Sequence, residues 1–131
     1  MEIHLKIIGY MLITLALVHA IFPKYFHWKE ELKSLSLMNR QMMIVHTFFI
    51  ALTVFLMGCV FVIESNDLIE TNFGKKITLG LAIFWSIRLI MQLFVYSPKL
   101  WRGKKFETIV HVFFTCFWVY ISTVTWVIWF K

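Results

Sequence analysis

Residues Asn39 to Ile63 read NRQMMIVHTFFIALTVFLMGCVFVI, and this stretch decides the fold. From Met42 to the end of the stretch, His46 is the only Asp, Glu, Lys, Arg or His. An α-helix rises about 1.5 Å per residue, so about 20 apolar residues cross the ~30 Å hydrocarbon layer of a bilayer. The stretch therefore predicts a membrane-spanning helix.

The polar residues of this helix are regularly spaced. Asn39, His46 and Thr53 recur at intervals of about two helical turns, which places them nearly on one line along the helix. Polar side chains are unfavourable against lipid tails. We therefore expect this line of residues to face other helices and to contribute to a buried polar site.

The composition extends the membrane assignment to the whole chain. Of 131 residues, 60% are hydrophobic and only 15% are charged, and the mean hydropathy is +0.78. Soluble domains are about half apolar and about a quarter charged. The sequence thus predicts a single transmembrane domain over residues 1–131. We attribute the net charge of +6 to contact with lipid headgroups of the bilayer rather than with nucleic acid.

Three further apolar runs predict three further spans. The first run ends at Pro23, the third at Ser97–Pro98, and the fourth at Trp129 and its neighbours. Short polar segments separate the runs, and the one from Glu64 to Lys76, which ends in Gly-Lys-Lys, predicts a loop. Short connections place consecutive helices antiparallel to each other. The predicted fold is an all-α membrane protein, an antiparallel four-helix transmembrane bundle with spans at about residues 3–22, 40–63, 77–96 and 106–130.

The basic residues predict the orientation of the bundle. Lys and Arg are concentrated in the loops on the cytoplasmic side of membrane proteins. Eight of them belong to the side that holds the loops after the first and third spans, and four to the side that holds the termini. We therefore expect an inner-membrane protein with both termini extracytoplasmic. The eight residues are Lys24, Lys29, Lys33, Arg40, Lys99, Arg102, Lys104 and Lys105.

Histidines fall at similar depths in three of the four spans. His19, His46 and His111 each lie roughly 5–9 Å below the cytoplasmic surface when counted from the predicted span ends. Glu107 lies one turn before His111 and could accept its ring N–H, as residues around metal-bound histidines do. Intramembrane ionisable residues usually mark pathways or sites. The sequence therefore predicts a histidine-lined polar site near the cytoplasmic face.

The third span carries a second polar line. Arg88, Gln92 and Tyr96 follow each other at intervals of four residues and approach the predicted histidine layer. Arg88 lies near mid-span, where a charge costs about 2.5–3.5 kcal/mol on insertion scales. It needs a partner, which can be Glu107 or a bound anionic group, or else a polar cavity or room to extend toward the cytoplasmic surface.

Two cofactor hypotheses follow from these residues. Haem b could be held axially between His46 and His111, with Arg88 paired to its propionates, which would make the protein a redox or electron-transfer component. Alternatively, a metal ion could be bound by imidazole and carboxylate ligands. The residues for the metal ion are His19, His46, His111 and Glu107.

Two hypotheses without an iron or metal cofactor remain open beside them. Arg88, Gln92 and Tyr96 could donate hydrogen bonds to a quinone or to an anionic lipid. The chain could also be a non-catalytic accessory subunit of a larger membrane complex whose polar residues are satisfied among themselves. Hydrolytic motifs such as GxSxG and HExxH do not occur, so the sequence offers no catalytic residue.

Overall fold

The structure is a computed structural model that describes residues 2–21, 28–94, 103 and 105–131, without the side chain of residue 20. Every regular element in this part of the chain is a helix, which confirms the predicted all-α class. The helices are α1 (Glu2–Val18), α2 (Trp28–Glu31), α3 (Leu37–Ile63), α4 (Ser65–Glu70), α5 (Asn72–Phe94) and α6 (Lys105–Phe130), with short 3-10 turns at His19–Ile21 and Leu32–Ser34.

Three of these helices have the length and composition of membrane spans. Among the described residues, α3, α5 and α6 are long and apolar enough to cross a membrane. α3 begins at Leu37, three residues before the predicted start, because the Ser36 side chain accepts the Asn39 N–H and caps the first turn. The structure thus supports a membrane protein with three candidate spans, whereas the sequence predicts four.

The segment between the second and third spans differs from the prediction. The sequence predicts a loop from Glu64 to Lys76, but the structure has α4 there and the beginning of α5. The Thr71 hydroxyl accepts the Gly74 N–H at 2.8 Å and so satisfies one of the unpaired donors that every helix start leaves. Gly74 therefore lies inside a helix, and the glycine is needed because the Asp67 carbonyl packs where a side chain would begin.

The chain divides into two compact units, residues 2–65 and residues 66–131. The first unit is an antiparallel hairpin of α1 and α3. Leu5, Ile8 and Leu12 of α1 are buried, as are Val54 and Phe61 of α3. At the end of the hairpin, the Ser65 hydroxyl donates to Glu2 at 3.5 Å, and Lys6 pairs with the same carboxylate at 3.5 Å.

Two glycines let the backbones of this hairpin touch. A Cβ added to Gly58 would lie 2.7 Å from the Gly9 carbonyl oxygen and 2.8 Å from an Ile13 side-chain carbon. A Cβ added to Gly9 would lie equally close, 2.7 Å, to the Gly58 carbonyl oxygen. Small residues at helix contacts allow such close approach in membranes, where packing rather than the hydrophobic effect holds helices together. The hairpin thus depends on a glycine in each helix.

The second unit is an antiparallel hairpin of α5 and α6, with α4 packed on the start of α5. The Thr78 hydroxyl lies within hydrogen-bonding distance of the carbonyls of Gly74 at 2.9 Å and Leu68 at 3.3 Å, which links α5 to α4. Trp85 of α5 and Ile121 and Ile128 of α6 are almost fully buried. This hairpin carries the polar residues described next.

Candidate functional site

Three of the predicted site residues form a chain of hydrogen bonds within the second hairpin. Arg88 Nη1 donates to Gln92 Oε1 at 3.2 Å on the same face of α5. Gln92 Nε2 lies 3.0 Å from Nδ1 of His111 on α6. Gln92 is buried, whereas Arg88 and His111 are half-buried. The predicted donor line of α5 and the histidine of α6 therefore meet in one polar cluster.

The direction of these bonds determines which ring nitrogen of His111 carries the hydrogen. A guanidinium group has only donors, so the Gln92 atom that faces Arg88 must be the carbonyl oxygen. The amide nitrogen of Gln92 then faces His111 and donates to Nδ1. Because Nδ1 accepts, the ring hydrogen of His111 is on Nε2. The tautomer thus follows from the position of Arg88.

Aromatic rings form the base of the cluster. The Arg88 guanidinium carbon lies 5.2 Å from the centre of the Trp118 ring, which is within cation–π range. Trp118 in turn stacks on Trp85 with centroids 4.9 Å apart and planes 13° from parallel. The electron-rich ring of Trp118 thus stabilises the charge of Arg88, which lipid tails cannot solvate.

Buried hydrogen-bonding atoms without a partner lie next to this base. Among the described residues, they are the indole N–H groups of Trp85 and Trp118 and the hydroxyl of Ser122. Ser122 lies one turn beyond Trp118 on α6. A buried donor that lacks an acceptor costs about 1–3 kcal/mol. Two of these three atoms, the indole nitrogens, can only donate hydrogen bonds.

The other two predicted histidines belong to the first hairpin. His46 is exposed, and its Nδ1 lies 2.8 Å from the Met42 carbonyl oxygen of its own helix. His19 makes the same contact with Leu15, also at 2.8 Å. The line from Asn39 through His46 to Thr53 is exposed along its length, so the first hairpin does not bury it. α1 instead packs on the side of α3 that holds Gly58.

Two further residues of the predicted site are Glu107 and Tyr96. Glu107 is half-buried in the first turn of α6, and Tyr96 lies outside the described residues. Within the described ranges, no group of three or more His, Cys, Asp or Glu side chains is placed so that it could hold a metal ion. A metal ion bound by His19, His46, His111 and Glu107 therefore stays a prediction.

Axial ligation of haem iron by His111 would require the hydrogen bonds around its ring to rearrange. Iron ligation needs a ring nitrogen with an available lone pair. The Nδ1 lone pair of His111 accepts from Gln92 and Nε2 carries the hydrogen. Ligation through Nε2 would place the hydrogen on Nδ1 and would turn the Gln92 amide so that its nitrogen faced Arg88, donor against donor. Haem between His46 and His111 stays a prediction that requires this chain of bonds to break.

Sequence reasoning missed Trp85. It considered Arg88 and Gln92 at helical spacing but not the tryptophan three residues before Arg88, which the same spacing places on the same face of α5. An aromatic residue one turn from an intramembrane arginine is a signal of the aromatic base, in which Trp85 stacks on Trp118, the ring beneath the Arg88 charge.

Comparison with known proteins adds no family to this description. No protein-family model, no curated protein and no solved structure matches the chain.

Proposed function

We propose that this chain is a multi-pass membrane protein whose second hairpin binds a membrane-soluble ligand through the ligand's hydrogen-bond acceptors. The chemistry is that of a quinone carbonyl or of the anionic headgroup of a lipid. The observation that supports this most directly is the hydrogen-bond chain from Arg88 through Gln92 to His111. Most of its hydrogen-bonding groups are N–H donors, because an arginine has no acceptor and the accepting nitrogen of His111 bonds to Gln92.

The aromatic base strengthens the argument for an acceptor ligand. Trp85 and Trp118 add two N–H groups, and the only other unpartnered buried atom found in the described residues is the Ser122 hydroxyl. Sites built to hydrogen-bond a ligand discriminate strongly against ligands that leave their buried groups unpaired. A ligand rich in acceptors therefore suits this hairpin better than one rich in donors.

The four-helix transmembrane bundle and the orientation are part of the same proposal. α1 and the 3-10 turn after it are continuously helical from Glu2 to Ile21. This segment is about 25 Å of α-helix plus about 6 Å of 3-10 helix, which matches a hydrocarbon layer of ~30 Å. We therefore propose α1 as a fourth span, with the basic loops cytoplasmic and the termini extracytoplasmic.

Cysteine labelling tests this orientation. Single cysteines at Lys33 and at Glu70, both exposed, should lie on opposite sides of the membrane. In cells, an impermeant thiol reagent added from outside should label the Glu70→Cys variant and leave the Lys33→Cys variant unlabelled. Both variants carry Cys59 and Cys116 replaced by serine, so that no other thiol reacts. Labelling of Lys33→Cys alone would reverse the orientation.

Ligand titration of the purified full chain in detergent tests the function. The ligands are a short-chain quinone, an anionic phospholipid and a zwitterionic phospholipid, with bound mass read by native mass spectrometry. The quinone or the anionic lipid should bind at least about tenfold more tightly than the zwitterionic lipid, since hydrogen bonds to charged groups contribute about 1.5–3 kcal/mol. The ligand that binds more tightly, the quinone or the anionic lipid, shows whether the site recognises a carbonyl or an anionic headgroup.

A matched pair of glutamine variants locates the binding. Gln92→Leu removes the amide that joins Arg88 to His111, whereas Gln41→Leu removes an exposed amide of α3. Only Gln92→Leu should weaken binding. Equal affinity for all three ligands, or an equal effect of both variants, would contradict the proposal. A chain that binds none of the ligands but co-purifies with a larger complex would instead be an accessory subunit, and a Soret band would support haem.

A further inference from the structure

A continuous stripe of exposed side chains follows α3 of the first hairpin. The polar line of Asn39, His46 and Thr53 alternates with an apolar line at intervals of three and four residues, so the stripe repeats every seven residues. All of its members are exposed. A seven-residue repeat is the pattern by which one helix packs along another in a left-handed pair. The α3 stripe consists, in chain order, of Asn39, Met42, His46, Phe49, Thr53 and Leu56.

The contact between α1 and α3 does not use this stripe. The buried residues of α3 are Val54, Gly58 and Phe61, and none of them belongs to the stripe. Because α3 is long and apolar enough to cross a membrane, His46 and Thr53 would face lipid tails if nothing else covered them. Polar side chains inside a span favour association with another helix instead. The α3 stripe therefore calls for a partner helix.

The exposed faces of the second hairpin offer few matching polar groups. Over residues 77–94 of α5 and 106–130 of α6, Thr123 is the only exposed residue with a nitrogen or oxygen atom in its side chain. Polar groups of that hairpin bond to each other instead, as Arg88 and Gln92 do. A second copy of α3, in contrast, carries the same polar residues at the same depths, because all copies of a chain insert in one orientation. The α3 stripe is thus complementary to itself.

From these observations we infer that the α3 stripe is an interface at which two copies of this chain pair, with their α3 helices parallel about a two-fold axis along the membrane normal. Each stripe residue then meets its own counterpart. Asn39 lies in the first turn of α3, and its amide both donates and accepts, so it can bond to the same amide of the second copy. A polar residue at such a position sets the register and the number of helices. The inference does not rest on the proposed function, because it concerns other residues in the other hairpin.

Disulfide cross-linking of the full chain in lipid vesicles tests the inference. The two native cysteines are replaced by serine, and each variant then carries one new cysteine, so any disulfide joins two copies. Met42→Cys and Phe49→Cys lie on the stripe, whereas Ile44→Cys and Phe48→Cys lie at similar depths on the other side of α3 and are also exposed. A disulfide requires Cα atoms within about 7 Å of each other. The two stripe variants should therefore form cross-linked dimers, and the other two should stay monomeric on a non-reducing gel.

A pair of alanine variants tests the interface without thiol chemistry. Leu56 on the stripe and Ile44 off it are 54% and 52% exposed, so neither truncation disturbs the buried part of the hairpin. Energy transfer between labelled copies in vesicles should show that Leu56→Ala raises the dissociation constant of the dimer at least about tenfold, since both copies lose packing, while Ile44→Ala leaves it unchanged. Equal cross-linking on both sides of α3, or equal effects of the two alanine variants, would overturn the inference. So would the absence of cross-links at the stripe, which is the result expected if another segment of the same chain covers it.

Discussion

Replacing Gly58 by alanine should destabilise the first hairpin, although alanine is the better helix former. The added Cβ would lie 2.7 Å from the Gly9 carbonyl oxygen. A backbone carbonyl, unlike a side chain, cannot change rotamer to make room. α1 and α3 would have to separate, and overpacking of this kind costs about 1–3 kcal/mol. We expect a clearly lower unfolding temperature, measured by circular dichroism of the full chain in detergent.

Gly80→Ala is the matched control for this prediction. A Cβ at Gly80 of α5 would meet nothing within 4 Å. The substitution should therefore leave the unfolding temperature unchanged or raise it, since glycine inside a helix costs about 0.5–1 kcal/mol relative to alanine. If both variants shifted the unfolding temperature by the same amount, the close contact between Gly9 and Gly58 would not hold in the membrane protein.

Arg88→Leu should weaken ligand binding without lowering the stability of the protein. The variant removes a mid-span charge that costs about 2.5–3.5 kcal/mol on insertion scales, which offsets the cost of about 1–3 kcal/mol for leaving the buried Gln92 oxygen without its donor. The protein should therefore insert and fold about as well as the parent chain. It also removes the group that orients Gln92, together with the charge above Trp118. Affinity for the acceptor ligand should fall at least about tenfold, because hydrogen bonds to charged groups are worth about 1.5–3 kcal/mol.

Arg40→Leu provides the comparison, because Arg40 is a half-buried arginine in the first turns of α3, in the other hairpin. It should leave ligand affinity unchanged. Should Arg88→Leu bind the ligand as tightly as the parent chain does, Arg88 would be a structural residue and the proposed site would lie elsewhere. Thermal unfolding of both variants, recorded in the same detergent, shows that any loss of binding is not a loss of folding.

Hydrophobic patterning predicted the helices far better than it predicted their contacts. The run from Met42 to Ile63 identified α3 because a membrane span needs only length and low charge. The predicted loop at Gly74 was wrong because a lone glycine in a polar segment indicates a turn, whereas its actual role is close packing against the Asp67 carbonyl. That role depends on the folding of α4 back onto α5.

The site was predicted in part for a similar reason. Helical spacing placed Arg88 beside Gln92, and the structure has this pair. Depth alone grouped His111 with His46 and His19, since a rise per residue says how far a side chain lies along the membrane normal but not which helix it faces. Its contact with Gln92 depends on how α5 and α6 face each other, which no single-helix pattern contains.

The tautomer of His111 is the most direct test of the account, because the excess of donors along the chain from Arg88 to His111 depends on it. Nitrogen-15 NMR of histidine-labelled protein distinguishes a ring nitrogen that carries hydrogen from one that does not, and the His111→Asn variant assigns the signal. We predict hydrogen on Nε2 and none on Nδ1, with Gln92→Glu reversing the pattern because a carboxylate accepts from Nδ1. Hydrogen on Nδ1 in the parent protein would contradict the account and would leave Nε2 available to a metal.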